Sequence, residues 1–191
     1  MAGKKQTAPE GLYQLKVTLL HVDPPIWRRI QVQDCTLETL HDVIQIAMGW
    51  ENCHMHQFIV GKTYYGPSPD DFAFGAEMVD EATVLISQLA PANKRKVRFK
   101  YEYDFGDSWL HEILVEKCPP PEPGARFPRC VEGERAGPPE DIGGAWGYAE
   151  LLEDLGKPPR RREHPYFEGG AKFDPEKFSL DEVNKRLGRL R

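Results

Sequence analysis

Two strand-like runs that face each other across a short turn constrain the fold of this chain most strongly. Apolar and aromatic side chains occupy every second position of residues 97–103 and again of residues 109–115. If the turn is centred on Gly106, residue 103 pairs with 109 and residue 101 with 111, so that both apolar faces coincide. The same register places Lys100 opposite Glu112, an arrangement that stabilises a strand pair. The sequence therefore predicts an antiparallel hairpin.

The remaining secondary-structure signals are those of an α+β protein. Thr36 and Gly49 are suited to begin and end a helix, and Ser179 opens a capping box for the last one. Hydrophobic periodicity predicts strands over residues 13–19, 26–32 and 54–60 and helices over residues 37–48, 148–155 and 180–190. Because no βαβ rhythm is present, we expect a mostly antiparallel sheet built from hairpins and packed by a few helices.

A Pro/Gly-rich segment separates the predicted hairpin from the C-terminal helices. Residues 118–147 contain seven prolines and six glycines. A flexible linker would have that composition, but Phe127, Ile142 and Trp146 are apolar side chains that a free linker does not need. We therefore expect a long ordered loop that wraps onto the body of the domain.

Length and composition indicate one domain. We expect residues 12–191 to form it and residues 1–11 to be a disordered lead. The four cysteines form no CxxC pair, and neither a signal peptide nor a membrane-spanning run is visible. These features predict a cytoplasmic protein with reduced thiols, no disulfide partner and no membrane contact.

The charge distribution is uneven. The net charge of -5 argues against a protein that coats nucleic acid, yet residues 157–191 hold ten Lys/Arg against six Asp/Glu. The candidate contacts for an anion or for a protein or nucleic-acid partner are Arg28, Arg29, Arg160, Arg161 and Arg162. The alternative is that Arg28 and Arg29 hold a strand by stacking and pairing, and that the basic segment is a solvated surface.

Four acidic residues are candidate catalytic or ion-binding groups. Asp104 and Asp107 flank the hairpin turn, and Glu140 and Asp141 lie in the Pro/Gly-rich segment. If that segment folds over the hairpin, the four carboxylates could hold a hard cation. Aspartate in a turn more commonly accepts hydrogen bonds from backbone N–H groups, and this alternative stays open.

Three histidines form a second candidate site. His54 and His56 are two residues apart on a predicted strand, which would place both side chains on one face. His111 lies on the core face of the hairpin and could supply a third metal ligand, in addition to being a candidate catalytic residue. This set would suit zinc, or a harder metal such as manganese if carboxylates join it. The alternative is that His111 is a hydrogen-bonded core residue and that Glu112 serves an ion pair with Lys100 rather than as a general base.

Several separated motifs resemble those of one known family. They are Pro25–Arg29, Gly49-Trp50 before His54–Phe58, Tyr103–His111, Pro138–Gly144 with Gly147-Tyr148, and a closing series from Asp174 to Leu187. In these motifs, from about residue 12 to the C-terminus, the chain resembles the plasmid pRiA4b ORF-3-like family. The resemblance implies a single α+β domain, often encoded near plasmids or insertion elements, with no assigned activity. Relatives commonly carry cysteine where this chain has Ile142, which moves any metal site toward the histidines and carboxylates.

Two functional hypotheses follow. The first is a non-catalytic binding or accessory protein, associated with mobile elements such as transposons, that contacts protein or nucleic acid through the basic C-terminal segment. The second is a metal-dependent hydrolase, resembling a nuclease or phosphodiesterase, that uses the His/Asp residues around one divalent ion. The sequence pI of 5.7 counts against nucleic-acid binding, whereas the absence of a complete ligand motif counts against the enzyme.

Overall fold

An eight-stranded sheet forms the framework of the computed structural model, which describes residues 11–67, 78–91, 96–116, 124–168 and 170–190. Its elements are β1 (Leu12–Leu19), β2 (Trp27–Gln33), α1 (Leu37–Met48), β3 (His56–Val60), β4 (Thr63–Gly66), β5 (Met78–Asp80), α2 (Ile86–Leu89), β6 (Arg98–Tyr103), β7 (Trp109–Glu116), β8 (Arg129–Glu134), α3 (Gly144–Leu155) and α4 (Leu180–Leu187). The strand order is β5-β4-β3-β6-β7-β1-β2-β8. Every described pairing is antiparallel except that of β4 with β5, so the predicted α+β class is confirmed.

The central hairpin of β6 and β7 has the predicted register. Residue 103 pairs with 109, 101 with 111 and 99 with 113. Lys100 lies opposite Glu112 as expected, but the Glu112 carboxylate forms its ion pair with Arg98, at 3.3 Å. The expected Lys100 ion pair is therefore wrong, because the diagonal neighbour on the same face reaches the carboxylate instead.

Helix α1 has the predicted ends and buries its apolar face in the same core as the sheet. The Thr36 hydroxyl accepts a hydrogen bond from the Thr39 N–H, and Gly49 ends the helix with a φ of 99°. The fully buried side chains that meet in this core include Leu15, Ile30, Leu40, Val43, Phe58, Tyr101 and Ile113. The sheet therefore has one face closed by α1, and the loops at the end of α1 reach the hairpin turn.

Part of the Pro/Gly-rich segment is a strand. Residues 129–134 form β8, which pairs with β2 through a bulge between Arg29 and Ile30. The expectation of a loop throughout residues 118–147 is wrong at this point. Cys130 is the one fully buried side chain of β8, so the strand lacks the apolar alternation that reveals strands in a sequence.

The C-terminal helices cover the end of the sheet. Helix α3 begins at Gly144, earlier than residue 148, and α4 begins after Ser179, whose hydroxyl accepts from the Glu182 N–H. None of the helices in the described ranges has the length and apolar character needed to span a membrane. Cys35, Cys53 and Cys130 carry free thiols, and Cys118 and residues 1–10 of the expected lead lie outside the described residues.

Candidate metal centre

In the hairpin turn between β6 and β7, one carboxylate oxygen of Asp104 is bound within the turn and the other faces His54. Asp104 has a left-handed backbone with a φ of 58°, and its Oδ1 accepts hydrogen bonds from the N–H groups of Gly106 at 2.9 Å and Asp107 at 3.3 Å. This is the turn role that aspartate commonly takes. It occupies Oδ1, whereas Oδ2 faces the His54 ring, with 3.6 Å between Oδ2 and Nε2.

The segment from Pro138 to Gly144 folds over this turn. The Trp50 indole N–H donates to the Pro138 carbonyl at 3.0 Å, and the Gly143 N–H donates to Asp107 Oδ2 at 3.1 Å. A Cβ atom on Gly144 would overlap the Asp107 carbonyl, so the two backbones are in close contact. The Pro/Gly-rich segment therefore folds over the hairpin turn, and the acidic residues of both segments lie close together.

The result is a cluster of metal-ligand atoms around His54. Asp141 Oδ1 lies 3.1 Å from His54 Nε2, and the ligand atoms of His54, Asp104 and Asp141 all lie within 4.8 Å of one another. Cys53 and Glu140 form a second such group with the same histidine. His54, three carboxylates and the Cys53 thiol thus supply candidate ligand atoms from three separate parts of the chain.

Two buried polar atoms of this cluster lack a hydrogen-bond partner within the described residues. They are His54 Nε2, whose 3.1 Å approach to Asp141 is not aligned as a hydrogen bond, and Glu140 Oε2. The other oxygen of Glu140 accepts from the Tyr103 hydroxyl at 3.1 Å and from the Glu51 N–H at 3.0 Å. Buried polar atoms usually have partners, so both atoms are available to a ligand.

A buried hydrogen-bond network holds the backbone next to His54. His41 Nε2 lies 2.8 Å from the Asn52 Oδ1 acceptor, and its Nδ1 lies 2.8 Å from the Tyr101 hydroxyl. This pattern assigns the ring proton to Nε2. Gln45 donates to the same hydroxyl and accepts from the Asn52 N–H. Burial, with a smaller contribution from His56, lowers the pKa of His41 to about 3, so the ring is neutral.

Sequence reasoning missed this network, although a signal for it exists. His41 and Gln45 are polar residues one helical turn apart on the buried side of α1. Polar residues on an apolar helix face need partners inside the protein, and they therefore indicate a buried hydrogen-bond network. Asn52 has a φ of 56°, a conformation that asparagine adopts more readily than most residues.

The structure does not bring the three candidate histidines together. His56 Nε2 contacts both oxygens of the buried Glu81 carboxylate, at 2.9 and 3.0 Å, and its ring stacks on His41. His111 is fully buried, which lowers its pKa to about 4, and its Nδ1 lies 3.3 Å from the Tyr101 carbonyl oxygen. The expectation that His54 and His56 share a strand face is wrong because β3 begins at His56.

The candidate arginines differ in exposure. Arg28 is buried, and its guanidinium donates to four backbone carbonyls, those of Trp27, Ala47, Glu134 and Arg135. Arg29 pairs with Glu116 and Glu132. Arg28 and Arg29 thus hold the sheet, and the expectation of an anion contact there is wrong.

The three arginines of the C-terminal segment are less enclosed. Arg160 and Arg161 are exposed, whereas Arg162 is half-buried, donates to the Leu155 carbonyl and lies over the Phe167 ring.

An open pocket of about 490 Å³ lies beside the His54 cluster. Its lining comes from two segments, Asn52–Met55 and Asp104–Gly106. Asp104 is largely buried, His54 is 27% exposed, and Asp141 is 76% exposed. An ion held by these residues would therefore be accessible from solvent, which a catalytic or exchangeable metal requires.

Comparisons with known proteins agree with one another. The family described as plasmid pRiA4b ORF-3-like protein matches residues 11–182. The uncharacterized protein y4hQ of Sinorhizobium fredii (strain NBRC 101917 / NGR234) is 36% identical over 184 residues, covering 94% of this chain and 92% of that protein. The crystal structure of the protein of unknown function MM3350 from Methanosarcina mazei Go1 is similar with a TM-score of 0.74 and 35% identity, covering 90% of this chain and 97% of that one. The chain therefore belongs to the plasmid pRiA4b ORF-3-like protein family.

Proposed function

We propose that this protein binds a divalent metal ion through His54, Asp104 and Asp141 and uses it for a hydrolytic reaction. The observation that carries the proposal is the convergence of these three ligand atoms within 4.8 Å of one another at an open pocket. The Cys53 thiol, which belongs to a second group of ligand atoms around the same histidine, is a further candidate ligand. One imidazole nitrogen with carboxylate oxygens suits zinc or manganese.

The same residues support a hydrolytic reaction. A bound divalent ion lowers the pKa of a coordinated water and so supplies a nucleophile near neutral pH. Glu140 would accept the proton of that water, because its Oε2 lacks a partner within the described residues while Tyr103 and Glu51 hold its Oε1. Asp107 has a different role, since its carboxylate accepts from the Gly143 N–H and fixes the loop.

A second candidate is the non-catalytic binding or accessory protein of a mobile element. The observation in its favour is the basic segment 157–191, in which Arg160 and Arg161 are exposed on a short 3₁₀ helix (Pro159–Arg161). Such a surface could contact a protein or a nucleic acid. For either function, we propose a cytoplasmic location and a single domain over residues 12–191.

A measurement of metal binding distinguishes the two candidate functions. The purified full chain is dialysed against a chelator and titrated with zinc and, separately, manganese by calorimetry. We expect about one ion per chain for at least one metal, and an affinity lowered by about tenfold or more in His54→Gln and in Asp141→Asn. His21→Gln, which changes an exposed histidine, is the control.

Thermal unfolding of each variant shows whether it is folded before its affinity is compared. A wild-type chain that takes up neither metal would overturn the proposal and leave the binding protein as the better candidate. Unchanged affinity in folded His54→Gln and Asp141→Asn variants would overturn the site itself.

A further inference from the structure

Large apolar side chains beside the candidate metal centre are exposed to solvent. Met55 and Phe105 line the pocket and are 42% and 45% exposed. Trp146 is 78% exposed in the first turn of α3, two residues after the Gly144 that contacts Asp107. Exposed apolar side chains that gather beside a polar site indicate a binding surface.

The segments that carry these residues contain no basic side chains other than histidine. They are residues 49–61, 101–116 and 136–156, and none of them contains lysine or arginine. Asp104 and Asp141 both contact His54, and within the described part of the chain no lysine or arginine pairs with either aspartate. Together with Asp107 and Glu140, these carboxylates outweigh the two positive charges of one divalent ion.

The excess of negative charge at the site favours some classes of substrate over others. A polyanion such as a nucleic acid binds mainly through lysine and arginine contacts with its phosphates, and the pocket segments offer none. A positively charged group, in contrast, is attracted by the carboxylates that remain in excess after a metal has bound. The exposed apolar side chains add a preference for an apolar group beside that charge.

We propose that the pocket binds a peptide segment in which a lysine or arginine side chain lies next to a large apolar side chain. This inference rests on the proposed function, because it names the substrate class of the same site. The basic side chain is placed toward the carboxylates around His54, and the apolar side chain contacts Met55 and Phe105. Nucleic acid, the substrate of a nuclease, is disfavoured.

Fluorescence polarisation with labelled probes tests the inference on the full, zinc-loaded chain. The probes are the peptide Ala-Phe-Arg-Phe-Ala, the same peptide with glutamate in place of arginine, and a short oligothymidine. We expect the arginine peptide to bind at least about tenfold more tightly than either other probe, and its affinity to fall with added salt. Phe105→Ala should weaken peptide binding about tenfold. Leu180→Ala, which truncates an exposed apolar residue on α4, is the matched control.

The outcomes distinguish this inference from the proposed function. Phe105→Ala should retain the wild-type zinc affinity, since Phe105 is not a ligand, while His54→Gln should lose it. Equal or tighter binding of the glutamate peptide or the oligothymidine would overturn the substrate class, even if zinc binds as proposed. Peptide binding that persists without any uptake of metal would instead reject the hydrolase and keep the peptide pocket.

Discussion

Two buried neutral histidines should make the folded state sensitive to mild acid. His41 and His111 are both in the core, where burial lowers their pKa values to about 3 and about 4. A histidine in the unfolded chain titrates near 6.5. Below that pH the unfolded chain takes up protons that the folded chain does not, so acid favours unfolding.

The magnitude follows from the two pKa shifts. Each histidine contributes stability that is fully present above about pH 6.5 and is lost as the pH falls toward its folded pKa. Below about pH 6.5 the loss is about 1.4 kcal/mol per pH unit for each group, and above it the loss is small. Between about pH 7.5 and pH 5.5, where about one unit lies below 6.5, the pair should therefore lower the free energy of unfolding by about 3 kcal/mol. This is a large fraction of the roughly 5–15 kcal/mol that stabilises a typical domain.

Urea unfolding followed by tryptophan fluorescence measures this dependence across the same pH range. His41→Gln can still donate to Asn52 but cannot take up a proton, so we expect it to lose about half of the pH dependence. His21→Gln, on the surface, is the matched control. A wild-type stability that does not change with pH, or a His41→Gln slope equal to that of wild type, would refute the reasoning.

Two further predictions concern the attachment of the acidic loop. Gly144→Ala should lower the free energy of unfolding, measured by thermal unfolding, by about 2–4 kcal/mol, because the residue has a φ of 66° and its Cβ would overlap the Asp107 carbonyl. The control is Gly170→Ala, at a residue that has a φ of 81° but open space around it, and it should cost only about 1 kcal/mol in the same measurement. Equal losses would contradict this. Tyr103→Phe removes the hydroxyl that donates to Glu140 and should cost about 1–2 kcal/mol in urea unfolding, and an unchanged midpoint would argue against that hydrogen bond.

Local patterns predicted the hairpin and the first helix, but not all of the candidate site. The β6–β7 register was predictable because two alternating runs share one apolar face only when the turn is centred on Gly106. The position of Asp141 beside His54 depends instead on hydrogen bonds between residues far apart in sequence, such as that from Trp50 to Pro138. Hydrophobic periodicity contains no information on contacts of this kind.

The histidine assignments show a second limit of sequence reasoning. Residue spacing of two indicates a shared face only inside a strand, and His54 precedes β3. His41 was missed because a histidine within an apolar helix pattern does not reveal which side chains will surround it. Its partners Tyr101 and Asn52 become visible only when the helix is packed against β6.

Asn184 completes the outer edge of the sheet. Its side-chain amide accepts from the Cys130 N–H at 2.8 Å and donates to the Cys130 carbonyl at 2.9 Å, as a neighbouring strand would. An exposed strand edge is a template for the addition of strands from other chains. By occupying the start of β8 with a side chain that cannot propagate the ladder, α4 hinders the addition of a strand from another molecule at this edge, in addition to its role in packing.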